Sequence, residues 1–273
     1  MAKLSPLSGG LSGINNLNKI LSELSDSYAK LSSGRRITRA SDDAAALSIS
    51  AQLESSLGTL DVASRNVRDA GSALAIADGS LGQIQDLSGR LQELAVQSAN
   101  GTYSDEQRAA LKSEYDSITQ EIGRIAETTQ FNGVKLLDGS QITAQVGNGS
   151  GASSQLVIGG ANISGLVSQA ASQNIGTQAG AQQAIGAIQQ FSQSLGNVRS
   201  SFIGSSQSRL DTIQQNISSQ RIGESEALSR IVDLDYASQT SFNTGREIMA
   251  QASLAVLAQG NRLNAGIVSR LLG

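Results

Sequence analysis

Cysteine, histidine and tryptophan are absent from the 273 residues, proline occurs once, at Pro6, and the aromatics are four tyrosines and four phenylalanines. Each absence removes a class of chemistry. Without imidazole or thiolate there is no zinc site of the usual kind, no haem ligand, no thiol nucleophile, no Ser-His-Asp triad and no disulfide framework. Neither sign of charge dominates, with 20 basic residues against 23 acidic ones and a formal charge of -3. A chain without basic excess has nothing to neutralise a phosphate backbone, so nucleic acid is not expected as a partner. Long apolar runs are missing too: the longest, such as 254–258, have five residues, whereas a membrane span takes about 20. The opening MAKLSPLSGGLSG is broken by serines and glycines and does not read as a Sec signal, which leaves export by another route open.

What the sequence has in abundance is helical periodicity. Ile14, Leu17, Leu21, Leu24, Tyr28 and Leu31 alternate steps of three and four and stop at Ser32, Ser33 and Gly34, where glycine offers the left-handed conformation that ends helices. After a basic connector, Arg35 to Arg39, Ser41 is placed to cap a new helix with Asp42 and Asp43 in its first turn. Leu53, Leu57, Leu60, Ala63, Val67, Ala70, Leu74, Ala77, Leu81, Ile84, Leu87, Leu91 and Leu94 then continue the stripe without a break. A helix over 41–99 extends roughly 85 Å, against a radius of gyration of about 19 Å for a compact globule of this length, so a rod is expected.

Ser104 and Gln107 are spaced as a capping box before a second helix striped by Leu111, Tyr115, Ile118, Ile122 and Ile125; the short loop implies an antiparallel neighbour. Asn132-Gly133 marks a turn. From 139 to 198 there is no charged residue. Within that stretch ITAQV and QLVI flank the turn-rich GNGSGASS, which reads as a β-hairpin near 140–160, with a flexible linker as the alternative. Helical pattern resumes with Ile185, Ile188, Phe191, Leu195, Val198 and Phe202, continues with Leu210, Ile213 and Ile217, fades before Gly223 and returns with Leu228 and Ile231. The last stripe is Ile248, Ala252, Val256, Leu263, Ile267 and Leu271. The expected fold is mainly α: long antiparallel coiled-coil helices in an elongated rod, a small hairpin region, and both termini paired as helices at one end.

Each terminal stripe is thin. Ordering a backbone costs about 1–2 kcal/mol per residue, more than six half-covered apolar side chains return. Neighbouring copies that cover the remaining faces would tip that balance, making folding of the ends and polymerisation one coupled event. Periodicity alone leaves an intracellular coiled-coil dimer as open as a polymer, because heptads say that helices pair without saying with whom.

Five stretches decide between them: KLSSGRRITRASDDAAALSIS (30–50), ASRNVRDAGSALAIADGSL (63–81), LQELAVQSANGTYSDEQRAALKSEYDSITQEI (91–122), TTQFNGVKLLDG (128–139) and RIVDLDYASQTSFNTGREIMAQASLAVLAQGN (230–261). Together, and in this order, they resemble bacterial flagellin in a minimal form, since 159–180 leaves no room for a variable outer domain. The resemblance implies a structural subunit of the extracellular flagellar filament, exported through the type III apparatus with a chaperone and assembled beneath a cap protein. Residues 1–40 and 233–273 become the inner-tube helices and 41–232 the surrounding rod. It assigns the inner-tube interface to Ile14, Leu17, Leu21, Leu24, Leu31, Ile248, Ala252, Val256, Leu263, Ile267 and Leu271, and a rod interface or the surface seen by a vertebrate Toll-like receptor to Arg90, Leu94 and Glu114. Hook-filament junction proteins are further partners. Pro6 and the glycines up to Gly13 depart from the family's usual start and suggest an irregular beginning. The rival readings are a hook-filament junction adaptor and, from another class, a cytoplasmic coiled-coil adaptor. No enzyme, metal site or cofactor emerges: GSGAS (149–153) lacks the lysine of a phosphate loop, and Asp42 with Asp43 suits a helix start.

Overall fold

The computed structural model describes residues 6–272, the side chains of 6–10, 264 and 267–272 excepted. In chain order the elements are α1 (Pro6–Ser33), α2 (Ala44–Ala99), α3 (Asp105–Thr128), β1 (Gln130–Phe131), β2 (Val134–Lys135), β3 (Ile142–Gln145), β4 (Gln155–Ile158), α4 (Ser164–Ala171), α5 (Gln178–Val198), a π-helical turn (Arg199–Gly204), α6 (Ser205–Val232) and α7 (Tyr236–Leu272). They form two compact units, one drawn from Met1–Ser55 and Gly223–Gly273, the other from Ser56–Ile222.

In the second unit α2 supplies the spine. Leu60, Ala63, Val67, Ala70, Leu74, Ala77, Leu81, Ile84, Leu91 and Leu94 are buried along one face, the face a 3.6-residue period brings into line. Helix α3 returns antiparallel to it behind the capping box, in which Ser104 Oγ accepts from the Gln107 amide (3.3 Å) and Gln107 Oε1 from the Ser104 amide (2.9 Å). Arg108, 5 % exposed, has no carboxylate partner among the described residues. It donates instead to the carbonyls of Ser98, Asn100 and Tyr103, so the negative end of α2 balances its charge. Helices α5 and α6 run back along α2. Gln85 Nε2 donates to Ser192 Oγ at 2.9 Å, Arg199 holds Asp78 through two bonds of 2.5 and 3.0 Å, and Gln214 Nε2 donates to Ser64 Oγ at 3.0 Å.

The hairpin expected near 140–160 is present: β3 and β4 pair antiparallel, Ile142 opposite Ile158 and Gln145 opposite Gln155. Asn66 Nδ2 donates to the Gln145 carbonyl at 2.8 Å and seats the hairpin on α2. A second pair, β1 with β2, closes around Asn132 and Gly133, whose φ values of 48° and 82° are those of a type I′ turn. The turn signal was legible; the two-residue strands beside it are too short to show alternation. Helix α4 was not read at all. Its apolar content is thin, but Ala170 is buried and the Tyr115 hydroxyl donates to the Ala170 carbonyl at 2.9 Å, so tertiary contact holds it.

The π-helical turn answers a defect in the stripe. Ile188, Phe191, Leu195, Val198 and Phe202 keep steps of three and four, and Ile203, Ser206, Leu210, Ile213 and Ile217 keep the same steps one residue later. Phe202 and Ile203 are both buried, at 8 % and 3 % exposure. A π turn closes i→i+5 bonds and absorbs one extra residue, so both halves of the stripe face the same core. The fading of pattern before Gly223 does not interrupt the helix: α6 is continuous to Val232.

In the first unit α1 runs from Pro6 through Gly9, Gly10 and Gly13 without a break, so no irregularity is observed from residue 6 onward; residues 1–5 of the expected irregular start lie outside the described residues. Helix α1 ends at Gly34 (φ 68°), whose amide donates to the Lys30 carbonyl at 2.9 Å. The connector then binds the chain leading into α7: the Arg36 amide donates to the Val232 carbonyl (2.6 Å) and the Leu234 amide to the Gly34 carbonyl (3.0 Å). The cap of α2 is Asp43, whose Oδ1 accepts from the Ala46 amide at 2.9 Å, rather than Ser41. Ser41 is displaced because Asp42 folds back to accept from the Thr38 and Arg39 amides at 3.0 and 3.2 Å, which tightens the turn before the helix.

Two outcomes are expected. Deleting Gly204 should convert the π turn to α-helix and leave the melting temperature of the second unit within a few degrees of wild type. Deleting Gly89 in α2, where nothing absorbs the change, should rotate the following turns by about 100° and abolish cooperative melting. The bond from the Thr38 amide holds the Asp42 carboxyl below the usual carboxylate range. A depressed native pKa means the latch is complete above the unfolded value, about 4, and is lost as pH falls through the lowered one. Carboxyl NMR titration of Asp42 should show that midpoint, and Asp42→Asn should remove the acid dependence.

Candidate assembly interface

Helices α1 and α7 pair within the first unit. Gly13 lies against Leu257, Glu23 against Arg246 and Ser27 against Gln239, so the helices are antiparallel. A Cβ on Gly13 would stand 2.7 Å from Leu257 Cδ2, which makes glycine the socket for that leucine. The residues turned into this seam are Leu17, Ile20, Leu24, Ser27 and Leu31 on α1, and Gln239, Asn243, Arg246, Ala250, Ser253 and Leu257 on α7. On α7 they recur at steps of three and four, yet most are small or polar.

The middle of the seam is a polar block. Arg246 pairs with Glu23 at 2.9 Å and lies 4.8 Å over the Phe242 ring, and Gln239 Nε2 donates to Ser27 Oγ. Ser27 and Asn243 are buried, at 2 % and 5 % exposure, and Asn243 Oδ1 has no hydrogen-bond partner among the described residues. A buried acceptor left unpaired costs about 1–3 kcal/mol, so this seam fixes register at the expense of strength.

The apolar side chains lie elsewhere. Ile14 and Leu21 are 51 % and 48 % exposed, and Ile248, Val256 and Leu263 are 61 %, 69 % and 62 % exposed; Ala252 is exposed as well. Leu17, Leu24 and Leu31 are half-buried in the seam. Ile267 and Leu271 lie outside the residues whose side chains are described. Sequence reasoning missed Phe242, Met249 and Leu254, all exposed, although Phe242, Met249, Val256 and Leu263 recur every seven residues. The Tyr28 hydroxyl donates to Glu247 Oε1 at 2.5 Å, and that bond raises the phenol's pKa.

In the second unit Arg90 Nη2 pairs with Glu114 Oε1 at 2.8 Å and Arg90 Nη1 with Glu93 Oε2 at 2.9 Å. Leu94 is 1 % exposed and packs in the core beneath them, so Arg90 and Glu114 carry the accessible surface there. Among the described residues no group of acidic side chains could hold a metal ion, and no helix is long and apolar enough to cross a membrane. Replacing the orphaned amide by a hydrocarbon is expected to strengthen the seam: Asn243→Leu should slow amide exchange in α1 and α7 by roughly tenfold, about 1.4 kcal/mol of the buried penalty.

Comparison with known proteins identifies the architecture. Residues 10–142 match the bacterial flagellin N-terminal helical region and residues 182–271 the bacterial flagellin C-terminal helical region. The chain is 38% identical over 249 residues to a flagellin of Halalkalibacterium halodurans, covering 90% of this chain and 91% of that one. It is 32% identical over 270 residues to a flagellar filament 30.7 kDa core protein of Treponema maltophilum, covering 91% and 90%. The crystal structure of Bacillus cereus flagellin superposes with a TM-score of 0.50 at 31% identity, over 56% of this chain and 88% of that one. With both family regions present in order around a short middle, this chain belongs to the bacterial flagellin family.

Proposed function

We propose that the chain is a structural subunit, not an enzyme, that polymerises into the hollow helical filament of a bacterial flagellum and serves swimming from outside the cell. The observation that carries this reading is the row of large apolar side chains left in solvent on α1 and α7, from Ile14 and Leu21 to Met249, Val256 and Leu263. A monomer gains nothing from exposing them, while many copies side by side would bury them at about 25 cal/mol per Å². Residues 1–40 and 233–273 are assigned to the inner tube and 41–232 to the surrounding shell, with ordering of the ends coupled to assembly. Family membership supports the export apparatus and its chaperone, the cap and hook-filament junction proteins as partners, and a Toll-like receptor contact resting on Arg90 and Glu114 with Leu94 holding the helix below.

Removal of residues 1–33 is expected to leave a soluble helical protein that no longer forms filaments when seeded. Normal filament growth after that truncation would overturn the reading. At single-residue level the two sides of α1 separate. Leu21→Asp should prevent elongation while leaving monomer melting unchanged, and Leu24→Asp should impair both, as read by electron microscopy and circular dichroism.

A further inference from the structure

The hairpin of β3 and β4 leaves one edge open. The Val146 amide donates to the Ser154 carbonyl at 2.8 Å. In the alternation of an antiparallel ladder Ala144 and Ile142 then also bond across to β4, while Thr143 and Gln145 turn their N–H and C=O groups the other way. On that side Asn66 Nδ2 takes the Gln145 carbonyl. The Thr143 N–H and C=O and the Gln145 N–H have no partner among the described residues. They border a hollow of about 480 Å³ in the second unit, within the size range of binding pockets. The consecutive residues Gln141 to Gln145 all line it, as the edge of a strand does, whereas a strand face would contribute every second residue. Ala70 and Ala73 of α2 and Phe131, Val134 and Leu136 of the first strand pair supply its apolar lining.

Unpaired main-chain groups beside an apolar hollow are a template for one more strand. Such an addition draws affinity from the main chain and specificity from the pockets that receive alternate side chains. Charge narrows the occupant. Asp69 is the one charged residue lining the hollow; it is exposed and has no base among the described residues. Apolar surface continues on α2 to either side of it, since Val62 and Ile76, each a heptad away, are 46 % and 43 % exposed. A strand that suits these walls carries small apolar side chains and one cation, which complements the single negative charge.

We propose that the open edge of β3 is a docking site for an extended segment of a partner protein, added to the hairpin as a third strand with a lysine or arginine set against Asp69. The site lies wholly within the second unit and is tested on unpolymerised full-length chain, so its failure leaves the filament reading untouched. The probe is a capped pentapeptide, valine-threonine-lysine-threonine-valine, and the control carries glutamate in place of its lysine. Amide exchange followed by NMR is expected to show Thr143 and Gln145 exchanging fast in the free chain and Ala144 slowly. Saturation with the lysine peptide should slow Thr143 and Gln145 by roughly tenfold or more and leave Ala144 as it was. The glutamate peptide should bind about threefold or more weakly, the scale of one exposed ion pair, and Asp69→Lys should reverse that order. Should Asp69→Lys fail to fold, the two peptides on the unmodified chain decide alone. Slow exchange of Thr143 and Gln145 in the free chain would mean that the edge is already closed, and no protection by the lysine peptide would mean that no strand adds there. Equal protection by both peptides would remove the cation. Protection that arises only on polymerisation, with no peptide present and none bound by the monomer, would make the occupant a neighbouring copy. Each of these four results overturns the proposal.

Discussion

The constraint on which the first unit depends is that α7 offers α1 its less apolar side. A helix has a limited circumference, and the side that faces its partner inside the chain fixes by subtraction what is left for solvent. Here Gln239, Asn243, Arg246, Ala250 and Ser253 take the seam, and Phe242, Met249, Val256 and Leu263 are left outside at 43 % exposure or more. The seam gains register from its polar block: Glu23 with Arg246 and Ser27 with Gln239 can be satisfied at one alignment only, and a slip of one heptad would leave charged and hydrogen-bonding groups facing hydrocarbon. Its cost is the unpaired Asn243 Oδ1.

The second unit follows the opposite rule. Leu74, Ala77, Leu81, Ile84, Leu91, Tyr115, Ile122, Ile188, Phe191 and Leu195 are all at 0 % exposure, so each helix there spends its most apolar side inside the unit. Alanines alternating with leucines along α2 let α3, α5 and α6 approach closely, and the polar groups that enter the core, Ser88 with Ser192 and Arg108 with the end of α2, find partners. One chain thus holds a unit whose main apolar stripes are buried internally, with Val62, Ile76 and Val96 of α2 still exposed, and a unit whose terminal helices display much of theirs.

This difference sets how much was legible beforehand. The stripe from Leu60 to Leu94, the Ser104–Gln107 cap and the hairpin at Ile142 and Ile158 could be read because local period, capping chemistry and core direction all agree there. The terminal stripes could be located but not oriented. Ile14 and Leu17 both fit a step of three, and only the partner's position reveals that Leu17 turns inward while Ile14 does not. On α7 the eye follows the largest residues, Ile248, Val256 and Leu263, but the seam follows the smallest, because Ala250 and Ser253 permit the close approach that Ile20 and Leu17 need. Helix α4 and the π turn were invisible for another reason: each is held by contacts from distant residues, Tyr115 in one case and Asp78 in the other, that no window of sequence contains.

The π turn also shows why an irregularity can persist in a helix that must stay in phase. One surplus residue in an α-helix rotates everything beyond it by about 100°, which would carry Leu210 and Ile217 out of the core. Spreading the surplus over Arg199–Gly204 confines the disturbance to a segment whose exposed side is Arg199, Ser200, Ser201 and Gly204, with little to lose. The Arg199 guanidinium bridging to Asp78 anchors the start of the segment on α2, and that bond holds the Asp78 carboxyl below its usual range. The buried pair Phe202 and Ile203 anchors the other end. A wider turn needs such fixed points on both sides, since its looser hydrogen bonding would otherwise let the surplus residue migrate along the helix and take the phase of the core with it.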